Sequence, residues 1–185
     1  NQAYALRAAE YLEECMKNQD SSGGIIECSI TGLPVGIGEP VFEKLDANLA
    51  KAIMSIGAVK GVEIGDGFHA ASANGSSNND PFRTASGGHG IQKATNHSGG
   101  TLGGMSDGST LILRAAVKPT PSISRVQQTV NTSGDEIELS IHGRHDPVIV
   151  PRAVVVVESM AALTLIDMLL INMSAKLENI IEFYK

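Results

Sequence analysis

Tryptophan is absent from this 185-residue sequence and aromatic residues make up only 4% of it. Any core therefore rests on aliphatic side chains and methionine rather than on packed rings. Cysteine is nearly absent too: Cys15 and Cys28 are too few for a disulfide framework and lack metal-ligand spacing, so they read as reduced thiols. Runs of positive charge are missing. Fourteen Lys and Arg stand against twenty Asp and Glu, a formal net charge of −6, and no stretch could track a phosphate backbone. Nucleic acid is not an expected partner. The longest apolar stretch, Ala153 to Met173, is interrupted by Glu158 and Asp167, each costing about 3 kcal/mol at a bilayer centre. It reads as a core helix, and no membrane partner is expected. Ala3 to Lys17 carries a helical pattern instead of a basic region followed by an apolar one, so no targeting peptide is visible.

What is present is enough for one domain over 1–185. Hydrophobic residues reach 42% and glycine counts 20, a composition outside the range of disordered chains. Ala3, Leu6, Ala9, Tyr11 and Leu12 recur at helical spacing, and the pattern stops near Asn18. Ile25 to Ile30 and Val59 to Ile64 read as strands. Between them a helix is predicted from Pro40, through Val41, Leu45, Leu49, Ala52, Ile53 and Ile56, to its end at Gly57. Asp66 to Gly104 reads as a long polar loop, Thr110 to Lys118 and Glu136 to His142 as strands, and Val154 onward as an apolar helix with a polar tail from Ser174. Short strands alternating with turns and amphipathic helices predict an α+β fold, with helices packed on largely antiparallel sheets. The pairing direction of the first two strands stays open.

Three segments could carry chemistry. In Gly99-Gly100-Thr101-Leu102-Gly103-Gly104 the backbone N–H groups can approach a ligand unobstructed, or form a mobile turn; no strand precedes it as a dinucleotide fingerprint requires. Lys118-Pro119-Thr120-Pro121-Ser122 sets a cation and two hydroxyls on a backbone stiffened by two prolines. That arrangement can converge on one anionic group such as a phosphate, or make a plain turn. Gly143-Arg144-His145-Asp146-Pro147 clusters a fixed cation, an imidazole and a carboxylate at the entry to the last helix. An Arg144–Asp146 pair that merely pins the corner is the alternative. His142 and His145 are not spaced to share a face, His69 and His89 read as solvated, and no metal site is expected.

The wording and order of these segments carry a resemblance. Gly-Gly-Ile-Ile-Glu from Gly23, Thr-Gly-Leu-Pro-Val-Gly-Ile-Gly-Glu-Pro from Thr31, Val-Lys-Gly-Val-Glu-Ile-Gly-Asp-Gly-Phe from Val59, Asn-His-Ser-Gly-Gly from Asn96, Lys-Pro-Thr-Pro-Ser-Ile from Lys118 and Gly-Arg-His-Asp-Pro from Gly143 together resemble the C-terminal half of chorismate synthase. The resemblance implies a lyase of the shikimate pathway that eliminates phosphate from 5-enolpyruvylshikimate 3-phosphate by a 1,4-anti route. It further implies reduced FMN as cofactor and a homotetramer, located in the cytoplasm, or in a plastid where a transit peptide precedes. Whether NADPH reduces the flavin on the enzyme stays open. By the same resemblance Lys118, Pro119, Thr120, Pro121 and Ser122 meet the FMN, with Gly57, Ala58 and Gly103 as further flavin contacts. Arg144 stands between flavin and substrate, and Asp146 manages the proton at flavin N5. Gly57 stands where Asn or Pro is common, and Ser98 where Ala is usual. The family's Ser-His-Gly motif and second catalytic histidine are not in this stretch, so the isolated chain is expected to be inactive. Two rivals are another flavin or phosphosugar enzyme sharing only the Gly-rich loop and Lys-Pro turn, and a non-enzymatic assembly domain.

Overall fold

The alternation of buried and outward residues in Leu-Ile-Leu-Arg-Ala-Ala-Val marks the strand around which the chain folds. A computed structural model of the chain describes residues 2–85, 90–143 and 145–185. It opens with α1 (Gln2–Lys17), followed by β1 (Gly24–Ile30), α2 (Leu45–Met54) and β2 (Val59–Ile64). A 3-10 turn (Gly67–Ser72), the single-turn α3 (Gly75–Asn78) and the short strands β3 (Phe82–Thr84), β4 (Ile91–Lys93), β5 (Thr101–Leu102) and β6 (Met105–Ser106) come next. The chain continues through β7 (Leu111–Val117), β8 (Gln127–Val130), β9 (Glu136–Leu139), α4 (Val150–Met173) and α5 (Leu177–Phe183).

The main sheet has the order β1-β7-β2, with β7 antiparallel to both neighbours. The first two strands thus run parallel to each other but never pair. Leu111, Leu113, Ala115 and Val117 of β7 point to one face and are buried. There they meet Leu45, Leu49 and Ile53 of α2 and Val157, Ala161, Leu165 and Met168 of α4, the fully buried members of one apolar cluster being aliphatic throughout. The remaining sheets are two-stranded antiparallel hairpins, so the α+β, largely antiparallel expectation is met.

Several elements differ from expectation. Helix α2 begins at Leu45 rather than Pro40: the chain turns back through Glu39 N–H to Glu43 O (2.9 Å), and Val41 sits at φ +61 with its side chain in solvent. Val41 mimics the helical period without joining it. The segment expected as a long loop holds a hairpin (β3–β4), a tight Gly-turned hairpin (β5–β6) and two helical turns, each too short to show a period. Strand β8 was not expected, because Gln-Gln-Thr-Val lacks alternation, and β9 stops at Leu139, short of His142. Helix α4 begins at Val150 with Pro151 in its first turn, where a missing N–H is harmless, and α5 occupies the expected polar tail.

By length and composition alone α4 could cross a membrane, yet it lays Val157, Ala161, Leu165 and Met168 on the sheet as a core helix does. That reading holds for one stripe only. At 100° per residue, Val155, Ile166, Leu163 and Leu170 fall on the opposite side, and all four are exposed.

Candidate functional site

The end of β7 gathers the segments that sequence analysis singled out. Val59 and Val117 are register partners, and just beyond them Lys118 N–H donates to the Ala58 carbonyl at 2.9 Å. Gly57 and Ala58 are thereby fixed beside Lys118, with Ala58 held at φ +71. Across the other edge, Ser21 Oγ donates to the Thr120 carbonyl at 2.7 Å, and Ser22 N–H donates to the Pro147 carbonyl at 2.7 Å. Ser21-Ser22 therefore lies between the Lys-Pro-Thr-Pro turn and the Asp146 corner. Gly23 has to be glycine, since a Cβ there would stand 2.4 Å from the Val117 carbonyl oxygen. Thr120 Oγ1 is buried and finds no partner among the described residues. Lys118 is exposed, and no carboxylate pairs with it among the described residues. A buried hydroxyl that can donate, two residues from an open ammonium, offers donors to a phosphate or carboxylate oxygen.

Gly143, His145, Asp146 and Pro147 form one wall of a cleft of about 160 Å³ whose other wall includes Asp20, Ser21 and Ser124. His145 Nε2 lies 3.1 Å from the Ile141 carbonyl oxygen, which can only accept, so this nitrogen carries the hydrogen. Asp146 Oδ2 pairs with Arg152 Nη1 at 2.6 Å, so among the described residues the cation on this carboxylate sits in the first turn of α4. Arg144, expected between flavin and substrate, lies outside the described residues.

Gly103 is placed elsewhere. It turns the β5–β6 hairpin at φ +61, with nothing within 4 Å of where a Cβ would stand. The next residue's carbonyl, on Gly104, accepts from Leu45 N–H at 2.7 Å, at the opposite end of α2 from Gly57. Ten helical residues at about 1.5 Å each separate the two ends by roughly 15 Å. The expected contacts thus fall into two regions joined by one helix.

Sequence reasoning missed a third feature, an ion cage around Lys93. Its side chain is 3% exposed, and Nζ lies 2.6 Å from Asp107 Oδ2, 2.6 Å from Ser98 Oγ, 3.0 Å from Asn96 Oδ1 and 3.3 Å from Asp80 Oδ2. Burial pushes the Asp80 carboxyl up, but hydrogen bonds from Ser98, Thr95 and His97 outweigh it and hold the group well below the usual carboxylate range. Asp107 is likewise raised by burial and then lowered further by Lys93 and Ser109. Beside the cage, His97 Nδ1 meets Asp66 Oδ2 at 2.7 Å. The two thiols stay apart from all of this, and burial together with the Glu158 carboxylate pushes Cys28 up, away from reactive thiolate.

Comparison with known proteins gives one answer. The chorismate synthase family model matches residues 1–170. The chain is 68% identical to a chorismate synthase of Agathobacter rectalis over 181 residues, 98% of this chain and 49% of that one. It is 57% identical to a chorismate synthase of Archaeoglobus fulgidus over 154 residues, 83% of this chain and 42% of that one. A crystal structure of chorismate synthase superposes with TM-score 0.73 at 33% identity, over 91% of this chain and 43% of that chain. The chain therefore spans about half the length of the curated relatives it matches.

Proposed function

Since the chain belongs to the chorismate synthase family, we propose that it carries the flavin-phosphate cradle and the Asp146 corner of an enzyme that eliminates phosphate from 5-enolpyruvylshikimate 3-phosphate to give chorismate. The observation that carries this reading is the buried Thr120 Oγ1, without a partner among the described residues, two residues along the chain from the exposed Lys118. An FMN phosphate fits these two residues, because it offers acceptor oxygens to a hydroxyl that can donate and an anion to an ammonium that no carboxylate pairs with among the described residues. Ser122 and the proline-stiffened backbone complete the cradle, and Gly57 and Ala58 stand next to it. When bound, reduced FMN supplies a transient electron that eases C–O cleavage in the substrate.

The chain's own residues have defined tasks. Lys118 and Thr120 bind and orient. Asp146 keeps Oδ2 on Arg152, leaving Oδ1 as the oxygen that accepts and returns a proton during the cycle. Arg144, two residues before Asp146 in sequence, supplies fixed positive charge to cofactor and substrate. The full-length protein works as a cytoplasmic homotetramer in this reading. The present chain, half the length of its relatives, does not turn over substrate by itself.

Flavin titration tests the cradle. FMN should quench on binding and bind this chain more tightly than riboflavin, and Thr120→Val should narrow the gap. Equal affinity for FMN and riboflavin would remove the phosphate from this site.

A further inference from the structure

Three residues just ahead of β1 tie the Lys-Pro-Thr-Pro turn to the Asp146 corner. Ser21 Oγ donates to the Thr120 carbonyl at 2.7 Å. Ser22 donates its backbone N–H to the Pro147 carbonyl at 2.7 Å and forms a parallel bridge with Val148. Gly23 lies so close to the turn that a Cβ on it would stand 3.2 Å from Pro119 Cδ. Ser21 is itself set from the side of α1. Asp20 N–H donates to the Cys15 carbonyl at 2.9 Å, Asp20 Oδ1 accepts the Ser21 N–H at 2.8 Å, and Asp20 Oδ2 meets Arg125 Nη1 at 3.3 Å.

The turn has reason to need such a tie. Pro119 and Pro121 carry no N–H, so much of its anchoring has to come through carbonyls. Lys118 N–H on the Ala58 carbonyl fixes the entry at 2.9 Å. Of the carbonyls, Pro121 accepts from Gln127 Nε2 at 3.3 Å, and Thr120 accepts the much shorter bond from Ser21. Because a proline follows it, Thr120 is confined to extended backbone. Holding its carbonyl therefore sets the direction of its Cα–Cβ bond, and with it where Oγ1 can point. Ser21 does not serve an anion through this hydroxyl, since its hydrogen is given to Thr120 and only lone pairs remain to face a phosphate oxygen.

We propose that Ser21 is a positioning residue: its hydroxyl, by holding the Thr120 carbonyl, aims the Thr120 hydroxyl at the phosphate without itself touching the ligand. Preorganising a contact group raises affinity by removing the ordering cost at binding. Since Ser22 hangs on the Pro147 carbonyl, the same strap sets the anion-holding turn against the Asp146 corner. The inference rests on the reading of Lys118 and Thr120 as the phosphate cradle, and it adds the residue through which that cradle is held in shape.

The test is a double-mutant cycle read by titrating this chain with FMN and with riboflavin. Ser21→Ala should cut the preference for FMN over riboflavin about fivefold, the loss of one neutral hydrogen bond, while riboflavin affinity stays unchanged. Ser21→Thr, which keeps the hydroxyl, should hold the preference within about twofold of the unsubstituted chain. In a Thr120→Val background Ser21→Ala should change nothing further, because a residue that acts through Thr120 has no effect once the Thr120 hydroxyl is gone. Amide exchange in the free chain should rise about fivefold at Thr120 and Ser122 with Ser21→Ala and stay level at Lys118. A preference that survives Ser21→Ala, or that falls equally in both backgrounds, overturns the positioning role and leaves the cradle standing. Equal affinity of the unsubstituted chain for FMN and riboflavin overturns the cradle and this role with it, so the two failures are separable.

Discussion

Two aspartate–cation arrangements in this chain look alike on paper and differ in kind. Around Lys93 the ammonium and both carboxylates are at most 7% exposed and every group has several partners. At the Asp146 corner the carboxylate has Arg152 as its ion-pair partner, and the side chains are 35% and 75% exposed. A buried charge that loses its partner has no water to fall back on, whereas an exposed one exchanges partners with solvent at little cost. The first arrangement is suited to holding shape. The second is suited to chemistry, in which a carboxylate has to change its proton and its contacts.

Substitutions can separate these roles. The largest effect is expected at the exposed corner and in rate rather than stability. In a chain completed to the length of its relatives, Asp146→Asn should lower turnover by about 10²- to 10⁴-fold, the usual range for loss of a proton-transfer group, with FMN affinity unchanged by titration. Near-normal turnover would return Asp146 to a structural role. Next, Lys93→Met should reduce the local stability of the segment around the cage by about 3 kcal/mol, the low end for a broken buried pair because the stranded carboxylates can take up protons. Hydrogen exchange reads this directly. Lys118→Ala should raise the Kd for FMN by roughly tenfold to a hundredfold, the loss of a charge-assisted contact worth about 1.5 to 3 kcal/mol, and saturating flavin should restore much of the activity.

Acid separates the two arrangements more gently. Asp80 is held below its ordinary value in the folded chain, so its stabilisation is complete above the unfolded value of about 3.9 and drains away as pH falls below it. Asp80→Asn should flatten the stability profile below about pH 4, seen in urea melts at stepped pH. Smallest of all, Arg152→Gln should change the melting free energy by about 1 kcal/mol or less, as exposed pairs do.

The parts of the fold that sequence made legible are those with a period or a motif. Leu111 to Val117 is an apolar run broken only by Arg114, Leu45 to Ile53 repeats every three or four residues, and Lys118 to Ser122 and Gly143 to Pro147 stand out by composition. The Lys93 cage has neither signature. Its partners Asp80, Asn96, Ser98 and Asp107 are scattered through a polar segment whose residues look interchangeable until the backbone folds them together. Arg152 escaped attention for a related reason: an arginine after Pro151 reads as the solvated start of a helix, and only the turn at Pro147 brings it to Asp146. Val41 misled in the other direction, with the right spacing for α2 and the wrong backbone angle.

The central position of β7 also governs the order of events during synthesis. As the chain emerges, β1 and then β2 appear with apolar faces and open hydrogen-bonding edges, yet neither is a partner for the other in the finished sheet. Both wait for the third strand, which arrives only after the whole polar segment carrying the cage, and the pairing of Gly24 with Val117 closes the longest of these loops. Non-local pairing of that kind slows folding and leaves strand edges uncovered while it is pending. A ribosome stalled between Ile64 and Leu111 would hold a nascent chain in which β1 and β2 still lack the strand that pairs with both.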